Sequence, residues 1–173
     1  MGIASFIVYV AAIVAANVAT AYWGMVPVGF GLMATAGTYA AGFALLARDF
    51  THRYAGIWWA FSGIMLGIVL SWFLASPALA VASAAAFAVA EVVDMGVYLV
   101  ARRRRGFITS AAISNLVSAP LDTLVFLFIA GFPVTIASFA GQMLGKLLWA
   151  TAVPLLVYGV IRALLRKPQH AIS

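Results

Sequence analysis

From residue 3 to residue 161 the chain is a succession of apolar runs separated by short polar breaks. Each run has the length, roughly 20 residues, that a helix needs to cross a hydrocarbon core about 30 Å thick. A backbone crossing lipid must satisfy its own hydrogen bonds, which leaves helices or a closed barrel, and the runs are continuous rather than alternating. With 66% hydrophobic and 8% charged residues, the chain has more apolar surface than a water-soluble domain could cover. The expected architecture is therefore all-α: one transmembrane domain occupying 1–173, with six helices at about 3–22, 29–47, 57–74, 78–101, 107–130 and 133–161. There are no cysteines, so disulfides, thiolate metal sites and a cysteine nucleophile are excluded.

The basic residues give this bundle an orientation. Arg48 and Arg53 fall between helices two and three, Arg102 to Arg105 between four and five, and Arg162, Arg166 and Lys167 follow helix six. With six spans these regions share one side with both termini, and the opposite connections carry no Lys or Arg. The positive-inside rule makes that side the cytoplasm of a plasma or inner membrane, with the lipid bilayer as an obligatory partner. The net charge of +6 then follows from topology, and the arginine run needs no nucleic-acid partner. The apolar stretch ending at Ala19-Thr20-Ala21 resembles a cleavable signal, but it has no basic start and Asn17 interrupts it, so helix one is expected to remain.

Against this background the ionisable residues inside the spans stand out. The chain has only four acids, and Glu91, Asp94 and Asp122 lie within spans, as does Lys146. A charge near the middle of a membrane helix costs about 2.5–3.5 kcal/mol on insertion scales, so such residues usually line a solute or proton path. Helical spacing collects them into three stripes: Glu91, Asp94 and Tyr98 on helix four; Asn115, Ser118 and Asp122 on helix five, interrupted by Pro120; Gln142, Lys146 and Trp149 on helix six. These stripes are expected to face one central cavity. Three acids against one lysine leave a surplus of two negative charges, which suits a cationic or multi-donor ligand, or a carboxylate that takes up a coupling proton. Tyr98 and Trp149 could stack on a flat ring or simply pack. Asn17 is a weaker candidate, since a lone asparagine more often bonds a neighbouring helix. Asp49 and Arg53, at i and i+4, read as a cap or a gate at the cytoplasmic interface. The GxxxG pairs Gly63/Gly67 and Gly141/Gly145 read as close helix packing.

The residues together resemble the queuosine precursor transporter family, also called the vitamin uptake transporter or VUT family. The resemblance is carried by Glu91-x-x-Asp94-x-x-x-Tyr98 with the arginines after it, Ser110, Ser118, Asp122-Thr123-x-x-Phe126, Lys146 and Pro154. Ala16-Asn17, Gly37, Asp49, Tyr54 and Gly56 extend it through the first half. It implies a six-helix inner-membrane importer of 7-cyano-7-deazaguanine or its aminomethyl relative, with no cofactor. On that reading Glu91 or Asp122 would accept the guanine-like N–H edge, Gln142 and Lys146 would serve its carbonyl, and Asp94 would balance an aminomethyl cation or carry a proton. Gly42 and Arg53 depart from the family pattern, which often has a proline-containing segment before the helix-two Asp and a Glu four residues after it.

Other classes fare less well. No G-x-S-x-G, H-E-x-x-H or metal-holding aspartate repeat is present, and His52 and His170 are too far apart in the chain to suggest a metal site, so no enzyme is expected. The closer alternative is the substrate-capture subunit of an energy-coupling-factor vitamin importer, for which Ala11-x-x-x-Ala15 on helix one could dock a partner; another flat heterocycle is also compatible. A homo-oligomer is compatible with the small-residue faces.

Overall fold

The computed structural model describes residues 2–153, 156–157 and 159–161, with the side chains of 111 and 149–151 left aside. Helix α1 (Gly2–Trp23) leads into a two-stranded hairpin, β1 (Met25–Gly29) and β2 (Leu32–Thr35). Four long helices follow: α2 (Thr38–Ala55), α3 (Ile57–Leu74), α4 (Pro77–Arg102) and α5 (Phe107–Ile129). A shorter α6 (Ile136–Met143) continues without a break into a π-helical segment, Leu144–Ala152. Among the described residues α1, α3, α4 and α5 are long and apolar enough to cross a membrane. The molecule is thus an all-α membrane protein with one small hairpin.

Local chemistry explains the boundaries. Gly56 separates α2 from α3 at φ +95°, a conformation that a side chain would disfavour. Pro77 opens α4, where its missing N–H costs nothing. Thr135 and Ser138 cap α6 reciprocally: the Ser138 N–H donates to Thr135 Oγ1 at 3.1 Å and the Thr135 N–H to Ser138 Oγ at 2.9 Å.

The hairpin is the main departure from the expected helix over 29–47. Its strands pair antiparallel from Met25 opposite Thr35 to Gly29 opposite Leu32, with Val28 as the extra residue of a bulge. The tip, Gly29-Phe30-Gly31, lies wholly at positive φ, which a helix cannot accommodate. Helix α2 consequently starts at Thr38 and runs to Ala55, so Arg48 and Asp49 lie inside a helix rather than at its end.

The charged side chains within the helices face inward, and the outer faces are apolar. On α4, Glu91 is 7% exposed while its neighbour Val92 is 76% exposed, and Ile3, Ile7, Val69 and Phe73 cover the outer faces of α1 and α3. Tyr9 and Ile13 of α1, Leu45 of α2, Ile64 of α3, Phe87 of α4 and Ala119 of α5 form the apolar core. Small residues allow the close approaches. A Cβ on Gly63 or Gly67 would meet Tyr9 or Ile13 at 2.8 Å, and one on Gly37 would lie 1.9 Å from the Ala16 carbonyl oxygen. Gly141 and Gly145 likewise seat α6 and the π-helical segment against Met33 and Thr38.

Candidate functional site

The stripes do not converge on one cavity; they divide into two polar clusters at different depths. The first lies toward the hairpin. Lys146, 3% exposed, donates from Nζ to Asp122 Oδ2 and to Thr123 Oγ1, the latter at 3.0 Å. Gln142 donates from Nε2 to Thr35 Oγ1 at 3.0 Å and accepts at Oε1 from the Thr38 hydroxyl, tying α6 to the hairpin and to α2. Asn17 donates to Ser71 at 3.0 Å and accepts from Ser83 at 2.7 Å, joining α1 to α3 and α4. Asn17, Thr20, Thr35, Thr38, Ser83, Asp122, Gln142 and Lys146 line a cavity of about 30 Å³ walled by Phe87 and Phe126. A space of that size holds one or two waters.

Backbone irregularity gathers around this cavity. Lys146 lies in the π-helical segment, a geometry frequent at functional sites because it re-aims side chains off the regular helix face. Pro120, inside α5, cannot donate to the carbonyl one turn earlier and sits two residues before Asp122. Gly37 lets its own N–H reach the Thr20 hydroxyl at 3.1 Å, bringing α1 against the start of α2.

The second cluster lies nearer the end of the bundle that bears Arg102 to Arg105, and Arg48 is its centre. Arg48, 2% exposed, donates to Glu91 Oε2 at 2.8 Å from Nη1 and to Asp49 Oδ1 at 2.9 Å from Nη2. The same Nη2 lies 2.7 Å from Asp94 Oδ2 and donates to Asn115 Oδ1 at 3.3 Å. Asn115 donates in turn to Asp49 Oδ2 at 3.4 Å, and Ser118 donates to Asp94 Oδ1 at 3.1 Å. Four helices' worth of design is not required here: α2, α4 and α5 supply every group named.

Several expected placements change. Glu91, Asp94 and Asn115 are absent from the lining of the cavity that Asp122, Gln142, Lys146 and Asn17 share. Asp49 pairs with Arg48, while Arg53 is exposed and lies 4.5 Å from the Phe107 ring centre and 5.6 Å from that of Tyr54. Tyr98 packs near His52, ring centres 5.9 Å apart, away from the cavity. Trp149 and Pro154 lie outside what is described of the side chains. The aromatic walls are instead Phe87 and Phe126. Arg48 was the functional candidate hidden by its position, because it reads as a loop cation when α2 is placed nine residues too early.

The family model described as "Putative vitamin uptake transporter" matches residues 3–160. The chain belongs to the vitamin uptake transporter family. The match runs from α1 through the described part of the last helix, so both clusters fall within the family's own region. As a vitamin uptake transporter family member the protein is a multi-pass membrane protein of transporter type. Comparison with curated proteins gives no match, and comparison with solved structures gives none.

Proposed function

We propose that the protein imports 7-deazaguanine precursors of queuosine, the 7-cyano and aminomethyl bases, through the cavity lined by Asp122, Gln142 and Lys146. The observation that carries this reading is the complement of that cavity: a carboxylate acceptor, an ammonium, two amides and four hydroxyls around two aromatic walls. A guanine-like edge presents a ring N–H and an amino group, which one carboxylate accepts together, beside a carbonyl that an ammonium or amide can serve. Phe87 and Phe126 offer apolar faces to a flat bicycle. The Asp122–Lys146 pair is neutral as a unit, which favours the uncharged 7-cyano base over the cationic aminomethyl base.

In this reading α2 and the α6–π segment complete six spans, both termini and Arg102 to Arg105 face the cytoplasm, and the membrane is the plasma or inner membrane. The hairpin then closes the outer end above the cavity, with the polar links from Gln142 to Thr35 and Thr38 as the contacts that must part for entry. One observation favours the alternative of a capture subunit: an apolar groove between α1 and α3 includes Ala11 and Ala15, the small residues that could receive a partner helix. Uptake of labelled base into liposomes containing only this chain separates the two readings. Uptake without any ATPase subunit supports a stand-alone importer; uptake only when such subunits are added assigns the capture role. Restoration of queuosine in the tRNA of cells that must import the precursor tests the substrate, and failure with both bases refutes it.

A further inference from the structure

We infer that the Arg48 cluster is a proton-binding site, separate from the solute cavity, that couples proton entry to movement of the solute. Asp49, Glu91 and Asp94 all contact one guanidinium, giving the cluster a formal charge of −2 with every member less than 10% exposed. The remaining groups facing it are neutral or already matched. Asn115 and Ser118 come from α5, Tyr9 comes from α1, α3 contributes no charge, and Lys146 is engaged by Asp122. Two uncompensated charges in so dry a place are relieved by bound cations, and Arg48 already occupies the central cation position. Among the described residues no group of acids or histidines is arranged to hold a metal ion. A proton shared by three carboxylates is the occupant that fits, and it belongs to the set rather than to one residue.

A second observation points the same way. The Tyr9 hydroxyl is fully buried and has no hydrogen-bond partner, yet it lies within electrostatic range of Arg48, Asp49, Glu91 and Asp122. It is the one buried side-chain oxygen without a partner among the described residues, and the charges that act on it are those of the cluster and of Asp122. The two sites are joined along α5, where Ser118, bonded to Asp94, lies one turn before Asp122 of the cavity.

The test has two arms, of which only the second rests on the import reading. Infrared difference spectra of the purified parent chain, without solute, are recorded as the buffer is moved from mildly alkaline to mildly acidic. The expected result is a protonated-carboxyl band that Asp49→Asn, Glu91→Gln and Asp94→Asn each diminish and Asp122→Asn leaves in place. No such band in the parent, or a band removed by Asp122→Asn alone, overturns the inference. In liposomes, an inward proton gradient is expected to accelerate uptake of the labelled 7-cyano base several-fold in the parent. The cluster variants should bind and exchange the base but ignore the gradient; variants that respond like the parent also overturn it. If the parent moves neither base, the import reading fails and the infrared arm still decides the proton site.

Discussion

Lys146→Met removes the ammonium beside Asp122 while keeping most of the side chain's length. Both partners are nearly inaccessible, Lys146 at 3% and Asp122 at 6%, so solvent cannot take over the lost contact. Breaking a buried ion pair by removing one partner costs about 3–5 kcal/mol, since the other charge stays behind. At about 2–4 °C per kcal/mol for a chain of this size, the melting temperature should fall by roughly 6–20 °C. Asp122→Asn should fall comparably, leaving the ammonium with the Thr123 hydroxyl. The double variant has neither charge and should lose less than either single variant, which requires a coupling above about 3 kcal/mol. Thermal unfolding of the parent, both single variants and the double variant in one detergent measures this cycle. Single losses that simply add in the double variant would refute the pairing and with it the claim that the cavity wall is neutral as a unit.

Other substitutions probe other parts of the structure. Arg48→Met strands three carboxylates and should yield little monodisperse protein, whereas adding Asp49→Asn and Glu91→Gln should restore it; gel filtration after extraction reads the difference. Arg48→Lys should not substitute, because an ammonium cannot fork among three acids; the same gel-filtration assay should show loss close to that of Arg48→Met. Gly37→Ala should destabilise by about 1–3 kcal/mol through overpacking, since its Cβ would lie 1.9 Å from the Ala16 carbonyl oxygen. Gly96→Ala, with nothing within 4 Å and a helical backbone, should instead stabilise by about 0.5–1 kcal/mol, both being read as shifts in melting temperature. Asn17→Leu removes the links to Ser71 and Ser83 and should cost about 1–3 kcal/mol in the same assay, given up to about 1.7 kcal/mol per interhelical bond.

The membrane class and the four long apolar helices were legible because hydropathy over a span is a summed signal that one or two polar residues do not erase. The buried charges were legible for the opposite reason: each is costly enough to require an explanation. The hairpin was not, because its apolar strands raise the same hydropathy signal as a helix. Gly24, Pro27, Gly29 and Gly31 were the available warning, a density of turn-forming residues that a membrane helix does not need. That one misplacement hid Arg48, since a cation beside an apparent helix end is ordinary topology, whereas in the middle of α2 it organises three acids. Helical spacing correctly placed Glu91 and Asp94 on one face, and Gln142 and Lys146 on another. It could not say that the faces meet different partners, because that depends on the rotation of each helix against its neighbours. Phe87 and Phe126 carry no polar mark, so nothing in their spacing separates a cavity wall from core.

The most direct test is calorimetric binding of 7-cyano-7-deazaguanine to the purified chain. The account predicts saturable binding that Asp122→Asn or Gln142→Leu weakens at least about tenfold, or 1.4 kcal/mol, while the variants stay folded. Binding left unchanged by both substitutions, or no binding of either deazaguanine by the folded parent, would contradict it.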